Sequence, residues 1–143
     1  MASVSYRQVF EIFEDFEKAE GRVAKIAVLQ SHKDLWALKD ILKGTFDDRI
    51  SWLLPTGTPP YTPNKPESTP STLLKKHKDF TYFVKGGQGE KIAGFKREKI
   101  FITLIEGIHP RDAELVIAMI NKKSIVKGLT KKIVEEAFPG LVS

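Results

Sequence analysis

Apolar positions recur at helical spacing through most of the chain and predict a series of helices buried to different depths. From Ser5 to about Ala19 one helix is expected, with Ser5 placed to cap it, Val9, Phe10, Ile12, Phe13 and Phe16 on a broad apolar face, and acids opposite. Gly21 ends that pattern. Arg22 to Gln30 reads as a second helix that buries Val23, Ile26, Ala27 and Leu29. A third takes Asp34 as its cap, carries Leu35, Leu38, Ile41 and Leu42 with Trp36 also available to pack, and stops at Gly44, a residue type expected just past a helix end. Phe46 to Leu54 is expected to add a further helical turn or two. Ser71 starts a helix from Thr72 to about Val84, whose Leu73, Leu74, Phe80, Phe83 and Val84 are apolar, before Gly86-Gly87-Gln88-Gly89 ends it in a flexible turn. Over Lys96 to Glu106 the residues Ile100, Phe101, Leu104 and Ile105 recur at helical spacing. The run Ile-Phe-Ile-Thr-Leu-Ile also suits a strand by itself, and the helical context decides for a helix.

The deepest segment lies near the end of the sequence. Leu115 to Ile120 is a nearly unbroken apolar run, so the helix opened by Pro110 and Asp112 must be largely buried. Asn121, Lys122 and Lys123 end it, Ser124 to Gly128 turns the chain, and Thr130 is placed to cap a last helix with Ile133, Val134, Ala137 and Phe138 before Pro139-Gly140 stops it. The expected fold is therefore all-α, a compact single-domain array of helices over residues 1–143. Residues 55–70 break the pattern with six of the eight prolines. They read either as a solvated, extended connector or as a loop that binds a partner around Pro59-Pro60-Tyr61 or lies along DNA.

Composition narrows the function classes. A 41% hydrophobic and 29% charged chain of 143 residues is ordinary for one folded domain. The absence of cysteine excludes disulfides and thiolate metal sites and fits a reducing cytoplasm. No apolar run approaches the roughly 20 residues of a membrane span, and the acidic start is unlike a leader, so a cytoplasmic protein without membrane attachment is expected. Net charge is +5 but unevenly spread: residues 1–20 carry five acids against Arg7 and Lys18, whereas residues 75–99 carry eight bases against three acids. Between Asn121 and Lys132 stand five lysines and no acid, some of them around a helix start that already favours an anion.

Catalytic sets are thin. His32, His77 and His109 stand near predicted helix ends, and none pairs with another ligand at metal-binding spacing. The adjacent pairs Asp47-Asp48 and Glu135-Glu136 point in different directions if helical. The glycine cluster lacks the Gly-Lys-Ser/Thr ending of a nucleotide loop. No enzyme, cofactor or metal site is expected, and Tyr61 and Tyr82 are the aromatics best suited to stack on a base.

From Met119 to Leu141, the order of core helix, basic link, Gly-x-Thr-Lys-Lys-x-Val and terminal Phe-Pro-Gly-Leu resembles the end of the N-terminal DNA-binding domain of phage-type ATP-dependent DNA ligases. A fainter likeness continues backward through His32-Lys33-Asp34-Leu35, Leu38, Ile41 and the Trp52–Pro55 segment, in the order of that family's early helices and proline-containing loop. The resemblance implies a helical clamp whose link lies against duplex backbone. It does not imply ligation, since no lysine here is followed by the x-Asp-Gly of the adenylation nucleophile. Carried onto this chain, it implies that Lys122, Lys123, Lys127, Lys131 and Lys132 neutralise phosphates, while backbone N–H groups near Gly128 and the Thr130 hydroxyl bond a phosphate. Secondary contacts would come from Lys75, Lys76, Lys78, Lys96, Arg97 and Lys99. The link carries lysine where the family usually has arginine, so phosphate is met by point charges instead of bidentate forks. The expected function is sequence-nonspecific, non-catalytic binding of double-stranded DNA, nicked or intact, by a small tailed-phage protein acting in replication or repair in the host cytoplasm. The alternative is a modulator that uses the same scaffold to bind a host or phage protein through the proline-rich loop or the acidic first helix.

Overall fold

In the computed structural model, residues 7–67 and 69–143 are described, and Ser5, expected as a cap, lies outside them. The protein is all-α. Among the described residues there are seven α-helices, two short 3-10 helices and no strand. The α-helices are α1 (Val9–Lys18), α2 (Arg22–Gln30), α3 (Trp36–Phe46), α4 (Leu73–Lys76), α5 (Gly94–Gly107), α6 (Pro110–Ile120) and α7 (Lys131–Ala137).

The apolar run in α6 forces it to the centre, where seven of its eleven residues are buried and it packs against α3, α5 and α1. Each buried Leu, Ile, Val or Met side chain contributes about 1.5–3 kcal/mol, which outweighs the modest helix preference of β-branched residues. Pro110 occupies the first turn, and the His109 ring Nδ1 caps the helix by accepting the Arg111 N–H at 3.1 Å. α2 bridges α1 and α7, which brings the two ends of the described chain together. One core runs from Val9 to Val142.

Several elements differ from the sequence expectation. α1 begins at Val9 after Gln8, whose N–H donates to Glu11 Oε1 at 2.9 Å. α2 has the expected bounds but buries only Leu29 fully; Ile26 is half-buried, and Ala27 and Val23 are exposed, Val23 at 83%. In α3, Leu35 takes the cap position, so Asp34 stands one residue too early to cap and makes no such bond. The helix also runs through Gly44 to Phe46. A Cβ on Gly44 would lie 2.5 Å from Met119 Sδ and 2.6 Å from Trp52 Cζ2, so this glycine marks a close approach and not a helix end.

The segment after α3 is extended instead of helical. Trp52 forms an isolated antiparallel bridge with Val84, Leu53 N–H donates to Phe83 O at 2.7 Å, and Lys85 N–H to Ser51 O at 2.8 Å. α4 lasts a single turn and tightens into the 3-10 helix His77–Tyr82. The glycine cluster is packed instead of loose. It leads into the 3-10 helix Gln88–Lys91, and a Cβ on Gly87 or Gly89 would strike backbone of Thr81 or Tyr82. The proline-rich segment lies against the helices, because the Asn121 side chain brackets Gly57, accepting its N–H at 2.6 Å and donating to its O at 3.1 Å. Farther along, Thr62 N–H donates to Glu106 Oε2 at 2.7 Å and Tyr61 is half-buried against the core.

Candidate nucleic-acid interface

The basic link between α6 and α7 is built on the ends of two other helices. The last carbonyls of a helix have no partner within it, and here lysines from distant elements supply one. Lys122, at a left-handed φ of 57°, turns back so that its Nζ donates to Gly44 O at 2.9 Å, Asp47 O at 2.7 Å and Ile50 O at 3.2 Å. Burial lowers its pKa, and Asp47 and Asp48 oppose the shift. All three ammonium donors are thereby engaged at the end of α3. Lys25 does the same for α1, donating to Phe16 O at 2.9 Å and Glu17 O at 3.3 Å, and its stem passes 3.7 Å from where a Gly128 Cβ would be.

The link also meets acids that its own composition hides. Glu17 Oε2 accepts the Lys127 N–H at 2.8 Å, so a carboxylate occupies one backbone donor expected to meet a phosphate. Lys131 Nζ donates to Asp48 Oδ2 at 2.8 Å, a bond that raises the lysine pKa and lowers that of the acid. Beside it the buried Asp47 is held at a pKa of about 2 by bonds from the Arg49 guanidinium. Thr130 Oγ1 accepts the Ile133 N–H at 3.3 Å, the cap expected for α7. Gly128, with φ of 84°, allows the turn before it.

Of the five link lysines, then, Lys122 and Lys131 are engaged internally. Lys123, Lys127 and Lys132 are exposed, and among the described residues no carboxylate lies within ion-pair distance of them.

The second basic set is split in the same way. Arg97 faces inward, its Nη2 donating to Gly89 O at 3.0 Å and Ile92 O at 2.9 Å, and it ties the glycine turn to α5 instead of reaching outward. Lys76, Lys96 and Lys99 gather at a groove between the α4 segment and α5, with Lys75 and Lys78 exposed nearby. Lys76 is 3.9 Å from Asp79. No hydrogen bond or ion pair among the described residues joins this group to the link.

Tyr61 and Tyr82 are both half-buried, and burial raises the Tyr61 phenol pKa. Among the described residues the exposed aromatic rings are instead Trp36 and Phe95. Among the described residues there is no group of three or more acids and histidines able to hold a metal, and no helix long and apolar enough to cross a membrane.

Comparison with known proteins adds a family but no activity. The family described as a family of unknown function (DUF6433) matches residues 12–126, from α1 into the basic link. No curated protein matches the sequence.

Proposed function

The chain belongs to the family of unknown function DUF6433, and we propose that it is a non-catalytic module that binds the phosphate backbone of double-stranded DNA without reading sequence. The observation that carries this reading is the braced link: its path is fixed by Lys122 and Lys131, and Lys123, Lys127 and Lys132 stand exposed on it with no carboxylate within ion-pair distance among the described residues. A rigid loop that presents three free ammonium groups meets phosphates with little ordering cost. The likeness of Met119–Leu141 to the ligase clamp points the same way, as does the net charge of +5. Such a module acts in the cytoplasm, that of the host if the chain is viral, and a preference for nicks would tie it to replication or repair.

The test is fluorescence anisotropy with nicked, intact and single-stranded DNA across a salt series, with the triple variant Lys123→Glu, Lys127→Glu, Lys132→Glu alongside the parent chain. Duplex binding that weakens steeply with salt and is lost in the triple variant is the expected result. Affinity unchanged by the triple charge reversal, or no binding at low salt, overturns the reading and turns attention to a protein partner.

A further inference from the structure

The groove between α4 and α5 has a volume of about 610 Å³, within the range of small-molecule sites. One wall is a single stripe of α5, Lys96, Lys99, Ile100, Thr103, Leu104 and Gly107, which at 1.5 Å per residue extends over about 16 Å. The facing segment runs the opposite way. Ser71 N–H donates to Gly107 O at 2.9 Å at one end, and at the other the turn around Gly89 packs on Tyr82 just before α5 begins. Lys76 and Asp79 are thereby carried toward Lys96 and Lys99. Along α5 the stripe is polarised, with Lys96 and Lys99 at its start, Leu104 and Gly107 at its end and Ile100 between, while Lys76, Asp79 and Ile92 line the groove from outside that helix.

Neither half of this arrangement suits a partner of a single character. An uncharged apolar ligand would cover the wall but leave Lys96 and Lys99 without a counter-charge, whereas a phosphate backbone would meet the lysines but leave the half-buried Ile92 and Ile100 uncovered. A ligand that satisfies both has an anionic head and an aliphatic body. We propose that this groove is a binding site for a small amphipathic anion of the fatty-carboxylate class, with the head between Lys96 and Lys99 and the chain running along Ile100 and Leu104 toward Gly107. This is a second site, independent of the link, and it does not rest on DNA binding.

The probe is decanoate, titrated below its micelle concentration into the ¹⁵N-labelled full chain with no DNA present, with decanol as the uncharged control. Saturable amide shifts are expected within residues 71–79 and 92–107. Decanol should bind about ten-fold more weakly, and the Lys96→Glu, Lys99→Glu variant should lose about ten-fold in decanoate affinity. A second variant, Thr103→Trp, fills the groove from an exposed position. It should abolish decanoate binding with both lysines in place, and the amide dispersion of each variant reports its folding. The proposal is overturned by absent or non-saturable shifts, by shifts that map elsewhere, by equal affinity for decanoate and decanol, or by decanoate binding that the folded charge-reversal variant retains in full. None of these outcomes bears on the link.

Discussion

Asp112 is buried where α6 meets α1, and its carboxylate has one partner: Phe10 N–H donates to Oδ1 at 2.9 Å, while Oδ2 has none among the described residues. Burial pushes its pKa up to about 7; the Phe10 bond opposes that rise and the Glu11 charge adds to it. The charged groups around it are Glu11 and Glu14 on α1 and Arg111 on its own helix, with the His109 ring stacked 4.0 Å from Phe10. Because the folded pKa lies above the ordinary carboxyl value, the native state takes up a proton that the unfolded chain has lost. Stability is therefore fully present below about pH 4 and declines as pH rises toward 7, by up to about 1.4 kcal/mol per unit. Asp112→Asn is expected to flatten that slope in urea unfolding at pH 5, 6, 7 and 8. His109, whose pKa burial lowers, contributes with the opposite sign below about pH 6.5, but it is present in both proteins and cancels in the comparison. The residue scale is also where the sequence is least legible. An aspartate two positions after Pro110 reads as a first-turn acid whether it faces water or core, and Gly44 presents the same letter for a helix end as for the contact that admits Met119 and Trp52.

At the scale of elements, helix ends are completed from far along the chain. The three carbonyls around the end of α3 converge on Lys122, 72 to 78 residues away in sequence, so this side chain joins α3 to the exit of α6. Charge-assisted bonds of this kind contribute about 1.5–3 kcal/mol. Lys122→Met, which keeps the stem and removes the donors, is expected to lower unfolding stability by about 2 kcal/mol and, on the proposed reading, to leave duplex affinity unchanged. Lys123→Met should do the reverse, with stability within about 0.5 kcal/mol of the parent and weaker binding. Chemical denaturation paired with anisotropy separates the two, and equal stability of both variants would remove the bracing role of Lys122. Periodicity revealed α5, α6 and α7 to within a few residues, because each presents a repeating apolar face to the core, and it gave the bounds of α2 although only Leu29 of its expected stripe is fully buried. It failed over residues 46–54, where two strand-like bonds and one bridge fix the chain without a repeat, and over residues 72–84, where the helix tightens after one turn. The lysine count of the link was legible from sequence, but which lysines remain free is decided by α1 and α3.

Across the whole molecule, the distribution of charge would set how a polyanion is met on the proposed reading. The acids of α1 are held in contacts on the same surface: Arg7 bonds Asp15, Arg111 bonds Glu14, and Glu17 reaches the link. On the proposed reading Glu17 is the acid that competes with phosphate, since its carboxylate accepts the Lys127 N–H on the link. Glu17→Gln keeps a side-chain oxygen for that amide and removes the charge. Loss of one repulsive charge beside the link is worth about 0.5–1 kcal/mol at an exposed site, so duplex affinity should rise about two- to five-fold at 50 mM salt. The slope of log affinity against log salt then measures how much of the surface takes part, because each phosphate neutralised contributes about −0.9. Contact through the three free link lysines alone gives a slope of about −2.7, and recruitment of Lys75, Lys78, Lys96 and Lys99 would steepen it to about −6. Glu17→Gln displaces no condensed cation from DNA, so it should raise the line and leave its slope alone. A slope that changes with this substitution would mean that Glu17 controls which face meets the duplex, and not merely how tightly one face holds it.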